Sequence, residues 1–205
     1  MTATRTELRQ RMRAQRRALS ESAQLHAAHA LRQTAIRGQL LHNHQNIAFY
    51  LCTDGEIDVL PLLQRAHAMG RHCFLPVLDS MARERLWFMP WQPGDRLIAN
   101  HFGIGEPALG MRHRISAAHI NLILMPLVAF DDQGNRLGMG GGFYDRSLAF
   151  LTRRKHWRRP ALCGVAHEFQ HVDALPSEAW DVPLDTCLTE RRLIRFHRDH
   201  HPRRE

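Results

Sequence analysis

The chain has 205 residues, of which 44% are hydrophobic and 23% charged, enough apolar material to bury a core and too much to leave the chain generally disordered. No apolar run reaches the roughly 20 residues that cross a bilayer, and the longest, Ile120 to Phe130, is broken by Asn121 and Pro126. The formal charge of +8 and a pI near 10.5 favour an anionic ligand, whether nucleotide, phosphate or nucleic acid.

The excess charge gathers at Arg5 to Arg17, Arg153 to Arg159 and Arg191 to Arg204, in ends and loops rather than on one face interleaved with aromatics. Cys52, Cys73, Cys163 and Cys187 stand far apart beside apolar neighbours, with no C-x-x-C pair, and read as buried, reduced thiols. His42 and His44 lack a second ligand pair, and His197, His200 and His201 lie in a charged tail, so no histidine metal site is expected. The N-terminus is basic but carries Glu7 and no apolar core, unlike a signal or transit peptide. A single domain over 1–197, with a basic tail at 198–205, is expected to act as a cytoplasmic monomer that engages neither membrane nor nucleic acid.

Residues Thr4 to Leu19 read as a helix with Leu8 and Met12 one turn apart and basic side chains over the other faces. Ser20 is an N-cap for a second helix, Glu21 to Gln39, apolar at Leu25, Ala28, Leu31 and Ala35 and ended near Gly38. Asn46 to Leu51 reads as a strand, Asp58 to Met69 as a helix stopped by Gly70, and HCFLPVL as a second strand, a βαβ unit that implies a parallel sheet. RLWFMPW is a third strand, NHFGIGEPALG a loop too rich in Gly and Pro for regular structure, and NLILMPLVAF one strand covered on both faces. FYDRSLAFL then reads as a helix with Tyr144, Leu148 and Leu151 on one face, followed by the buried strand ALCGVAH and two short strands in PLDTCL and RLIRFH. The fold class is therefore α/β, a single-domain, open, mostly parallel sheet flanked by helices.

Chemistry concentrates in RLGMGGGFYDR, Arg136 to Arg146, a glycine-rich loop between a buried strand and a helix. Residues without Cβ let backbone amides approach phosphate oxygens, and a helix N-terminus adds positive potential. The spacing is neither a P-loop nor G-x-G-x-x-G, whose third glycine would fall on Phe143. GIGEPA at Gly103 to Ala108 follows no strand and carries Pro107. Asp145 either holds a Mg²⁺ beside phosphate oxygens or favours the helix start, and Arg136 and Arg146 are placed to neutralise charge.

FDDQGNRLGMGGGFYDRSL resembles the F-D-x-x-G-x-R-L-G-x-G-x-G-[FY]-Y-D signature of the 5-formyltetrahydrofolate cyclo-ligase family. TRTELRQRMRAQRR, IAFYLCTDGEID, GDRLIANHFGIGEP and AWDVPLDTCLTE follow that family's order, so the resemblance spans nearly the whole chain. It implies a fold shared with sugar-phosphate isomerases and coenzyme A transferases. It also implies ATP as co-substrate at Arg136, Leu137, Gly138, Met139, Gly140, Gly141, Gly142, Phe143 and Tyr144, with Met139 to Phe143 also bordering the folate. Some relatives carry basic residues where this chain has Met139 and Gly141, which shifts phosphate binding towards backbone amides, Arg136 or Arg146.

Arg5 and Arg9 resemble a nucleotide-contacting basic pair; four residues apart, they share a helix face, and a solvated basic face is the alternative. Arg5 stands where lysine is frequent. Glu56 corresponds to a folate-contacting acid, with Leu51 lining the pocket, and capping by Glu56, Asp54 or Asp58 is the competing reading. Asp145 and Asp181 correspond to Mg²⁺ carboxylates. Phe102 is placed near the substrate, or simply packs. The implied reaction is phosphorylation of the formyl oxygen of 5-formyltetrahydrofolate, with or without a polyglutamate tail, and ring closure by N10, with Tyr144 and Arg146 as catalytic candidates. Another α/β phospholigand enzyme such as a sugar-phosphate isomerase, or a basic nucleic-acid-binding protein, are the alternatives.

Overall fold

The first helix begins where side-chain chemistry can satisfy its free amides. In the computed structural model of the protein, which describes residues 4–79, 85–153, 159–178 and 180–196, α1 spans Arg5–Arg17. Thr4 Oγ1 accepts from the Glu7 amide, and the Glu7 carboxylate accepts from the Thr4 amide, a reciprocal capping box. Leu8 and Met12 are buried against Val128, Ala129 and Leu137. The expectation that basic residues cover every other face fails at Arg16, which is fully buried.

Ser20 caps α2 (Glu21–Arg37) by accepting from the Ala23 amide, as expected. Ala28, Leu31 and Ala35 enter the core, but Leu25 is 63% exposed and Ala27 takes the inward position. The remaining elements, in chain order, are β1 (Asn46–Ala48), α3 (Leu60–Ala68), β2 (His72–Leu78), β3 (Leu86–Trp91), β4 (Leu97–Ala99), β5 (Gly105–Pro107), β6 (Leu122–Pro126), β7 (Ala129–Phe130), β8 (Arg136–Leu137), α4 (Phe143–Leu148), β9 (Ala161–Val165), β10 (Thr186–Leu188) and β11 (Leu193–Arg195).

One seven-stranded sheet runs β11-β10-β9-β6-β1-β2-β3. Its five central strands are parallel, and β11 and β3 close the edges antiparallel. Strand alternation feeds two cores: Ile47, Leu122 and Leu124 pack with Leu31, Leu62 and Leu63 of α2 and α3. Ala48, Ile123 and Met125 pack on the other face with Leu148 of α4. Both faces being apolar explains the continuous run LILM, and each such fully buried side chain contributes roughly 1.5–3 kcal/mol.

Three expectations need correction. NLILMPLVAF is not one strand: β6 ends at Pro126, and β7 turns into a separate two-stranded ladder with β8. NHFGIGEPALG is not all loop, because β5 pairs antiparallel with β4, and Asn100 closes the hairpin by accepting from the Phe102 and Ile104 amides. FYDRSLAFL is helical only to Leu148 and continues as a 3₁₀ turn over Ala149–Arg153.

Cys73, Cys163 and Cys187 are buried free thiols as expected, whereas Cys52 is exposed. Among the described residues no helix is long and apolar enough to cross a membrane. The basic tail at 198–205, His197, and positions 154–158 lie outside the described residues.

Candidate functional site

The chain leaving β1 passes to β2 on one side, and the chain leaving β6 passes to β9 on the other. Loops from adjacent parallel strands therefore diverge at the carboxyl ends of β1 and β6, where open α/β sheets form a ligand crevice. The turn after β1, the loop after β8 and the helix α1 meet there.

In the turn, Asp54 and Gly55 are both left-handed, at φ +52° and +72°. A Cβ on Gly55 would lie 2.9 Å from the backbone carbon and oxygen of Arg16, so only glycine lets α1 rest on this turn. Asp54 accepts from Arg13 Nε at 2.7 Å, Arg16 Nη2 at 2.8 Å and Arg17 Nε at 2.5 Å. Burial alone would raise its pKa, but the hydrogen bonds from Arg13, Arg17 and Arg16 outweigh that and hold the carboxyl at about 2.

Glu56 is buried beside it, its Oε2 accepting from the Thr53 amide at 3.1 Å, and its Oε1 lies 3.8 Å from Arg16 Nη1. Desolvation lifts this carboxyl to about 7, against the opposing effects of Arg16 and the Thr53 amide. Glu56 thus carries a capping bond and an unusual pKa together, and a pKa that high in a crevice marks a functional candidate.

The glycine loop is held from outside by side chains. Arg9 Nε donates to the Gly138 carbonyl at 2.9 Å, and Arg146 Nη2 donates to the Gly141 carbonyl at 2.6 Å. Gly140 and Gly142 are left-handed, at φ +103° and +65°. Among the described residues, no amide from Gly138 to Gly142 donates a hydrogen bond within the protein. Arg136 is buried and pairs with Asp145 at 2.5 Å. The expected contribution of a helix N-terminus is small, since α4 has only six residues. Arg9, Arg136 and Arg146 carry the positive field instead.

Tyr144 lies on the core side of α4. Burial and then Glu56 push its phenol up, and Arg136 opposes them, which keeps the hydroxyl protonated as a donor. Phe102 is 56% exposed and meets Phe143 edge-on at 5.9 Å. A Cβ on Gly105 would stand 3.3 Å from Leu51 Cδ1, so the β4–β5 hairpin lies over both Leu51 and the glycine loop.

The two carboxylates expected at a metal have different partners. Asp145 pairs with Arg136, while Asp181 Oδ2 accepts from Arg5 Nη2 at 3.1 Å and from the Glu178 amide at 2.9 Å. Among the described residues no group of three or more His, Cys, Asp or Glu is arranged for a metal ion. Arg136 takes Oδ1 of Asp145, whose side chain stays one-quarter exposed, and a partly exposed carboxylate of this kind has the hard-oxygen chemistry of a Mg²⁺ ligand, an ion that commonly takes one or two protein carboxylates.

Arg16 and Asp54 are the members that sequence reasoning missed as a pair. The signal was present: position 16 continues the helical stripe of Leu8 and Met12. An arginine on an apolar stripe must find a buried partner.

The profile of the 5-formyltetrahydrofolate cyclo-ligase family matches residues 1–190. A 5-formyltetrahydrofolate cyclo-ligase from Haemophilus influenzae is 36% identical over 189 residues, covering 91% of this chain and 98% of that protein. Another from Escherichia coli K12 is 38% identical over 147 residues, 72% of this chain and 79% of its own length. The solved structure of Aquifex aeolicus 5,10-methenyltetrahydrofolate synthetase superposes with a TM-score of 0.78 at 29% identity, covering 97% of this chain and 96% of that one.

Proposed function

The chain belongs to the 5-formyltetrahydrofolate cyclo-ligase family, and from that premise we propose how its residues divide the reaction. The activity is ATP-dependent cyclisation of 5-formyltetrahydrofolate to 5,10-methenyltetrahydrofolate. The observation that carries the assignment of parts is the meeting of Arg9, the glycine loop and Glu56 in one crevice, from three separate elements.

The amides of Gly138 to Gly142 cradle the triphosphate, with Arg9, Arg136 and Arg146 offsetting its charge and Arg5, held by Asp181, extending the same face. Glu56 accepts hydrogen bonds from the amino and ring N–H groups of the pterin, Leu51 and Phe102 border it, and the Tyr144 hydroxyl orients the formyl group.

The formyl oxygen attacks the γ-phosphorus and the bond to ADP breaks. N10 then attacks the formyl carbon and loses its proton, and phosphate leaves carrying that oxygen. No protein nucleophile is required, so positioning and charge neutralisation supply the catalysis. Asp145 would hold Mg²⁺, with Asp181 as the second candidate carboxylate, and the ion would supply neutralisation of phosphate charge. We further propose a cytoplasmic monomer.

The test is purified protein with Mg-ATP and 5-formyltetrahydrofolate, followed by the absorbance of the methenyl product and by ADP release. Asp145→Asn is expected to raise the KM for ATP, and Glu56→Gln that for the folate. Product formation without ATP, or unchanged constants in both variants, would refute the assignment.

A further inference from the structure

We propose that Arg16 is a positioning residue for the reaction, a buried guanidinium that faces Glu56 Oε1 from α1 and keeps that carboxylate charged and available to the pterin. This rests on the reading of Glu56 as the acid that receives the pterin. Arg16 lies on α1 with no exposed surface, a rare state for arginine. Its Nη2 donates to Asp54 Oδ2 at 2.8 Å and reaches Met139 Sδ at 3.9 Å, and its Nη1 lies 3.4 Å from the Leu127 carbonyl and 3.8 Å from Glu56 Oε1. One planar group thus touches the turn after β1, the chain leaving β6 and the middle of the glycine loop.

Anchoring the helix does not by itself explain this residue. Arg13 and Arg17, both partly exposed, already hold Asp54 from α1. A third, fully desolvated cation adds little net stability, because replacing a buried ion pair by apolar groups of similar volume is often neutral or favourable. The Nε of Arg16 has no acceptor among the described residues, so its burial was not compensated bond for bond. Its distinctive contact is with Glu56, whose Oε2 is occupied by the Thr53 amide and whose Oε1 faces the guanidinium beyond hydrogen-bonding range. That arrangement favours the charged carboxylate and leaves Oε1 to accept from a ligand.

The groups around Glu56 are Arg16 on α1, Tyr50, Cys52, Asp54 and Asp58 on its own segment, and Tyr144 on α4, with His167 bonded to the Gly55 carbonyl nearby. Arg16 is the principal cation among them and the largest influence opposing desolvation. Removing it takes away that opposition to desolvation, so the neutral acid is favoured further and fewer lone pairs remain to accept from pterin N–H groups.

The experiment measures the KM for 5-formyltetrahydrofolate at saturating Mg-ATP from about pH 6 to 9 in the wild type, Arg16→Met, Arg16→Lys, Glu56→Gln and the Arg16→Met/Glu56→Gln double variant. Arg16→Met is expected to raise the KM roughly tenfold at pH 7, to move the acidic limb of kcat/KM upward by about one unit, and to recover towards alkaline pH. Arg16→Lys, which keeps the charge, retains the wild-type limb, and the double variant is no worse than Glu56→Gln alone. If Arg16→Met does not fold, Arg16→Gln gives the same reading.

A loss in Arg16→Met that is uniform in pH, or additive with Glu56→Gln, overturns the proposal and leaves a purely structural arginine. An unchanged folate KM in Glu56→Gln overturns the reading of Glu56 itself, and this inference falls with it. Impairment in Glu56→Gln with an unmoved limb in Arg16→Met removes the role of Arg16 alone.

Discussion

At the turn after β1, three arginines converge on the Asp54 carboxylate and Gly55 is pressed against the α1 backbone, whereas the loop after β8 is gripped through two carbonyls while its amides are left undonated within the described protein. The first region is over-determined by charge and close packing before any ligand arrives. On the proposed reading, the second keeps its donors for the phosphates. A carboxylate that must meet a neutral, polar ring edge has to be fixed and partly desolvated, while a phosphate cradle works by offering unsatisfied N–H groups. Stability and binding should therefore separate between the two regions.

The largest expected effect is on stability at the turn. Asp54→Ala leaves Arg16 buried without its carboxylate and is expected to destabilise by about 3 kcal/mol, as breaking a buried pair does; urea denaturation followed by circular dichroism measures it. Gly55→Ala forces a left-handed alanine against Arg16 and should lose about 2 kcal/mol in the same assay. Were either variant as stable as the wild type, the turn would not be the rigid half of the site.

At the loop the effect should appear in binding. Gly140→Ala sits at φ +103° with its Cβ only in ordinary contact with Arg9 at 3.8 Å, so the KM for ATP should rise about tenfold, a loss near 1.4 kcal/mol, at a smaller loss of stability than at Gly55.

pH sharpens the contrast within the turn itself. Asp54, depressed to about 2, contributes stability that is present above about pH 4 and lost as pH falls through 2. Glu56, raised from 4.5 to about 7, acts in the opposite sense: its contribution is present below pH 4.5 and lost as pH rises through 7. Urea midpoints for Glu56→Gln should lack the decline between those two values. The smallest effect is expected for Gly138→Ala, where an added Cβ meets nothing within 4 Å and φ is ordinary. Its stability should change by less than about 0.5 kcal/mol.

Much of the candidate site was legible because its signals are local. The strand-to-loop transition, the run Gly138, Gly140, Gly141 and Gly142, and the pair Arg5 and Arg9 are contiguous or one helical turn apart. Glu56, too, stood in a recognisable strand-to-turn segment. Its pKa did not, because that depends on burial in the folded chain and, opposing it, on an arginine forty residues earlier. Leu25 was misread as core because spacing marks a helical stripe without showing which edge of it meets a neighbour. The β4–β5 ladder was missed because Gly and Pro depress strand propensity, while cross-strand pairing overrides it.

By itself the sequence determined the α/β class, the parallel core strands with apolar residues on both faces, the second helix with its Ser20 cap and the family, all of which rest on periodicity and on motifs read within short windows. Tertiary structure alone decided that the strand after Ile120 breaks at Pro126, that Asp181 goes to Arg5, and that Arg16 turns inward to stand between Asp54, Glu56 and Met139. Those outcomes depend on which distant groups share a low-dielectric space, and the energy of a buried charge is set by its neighbours in three dimensions rather than by its neighbours along the chain.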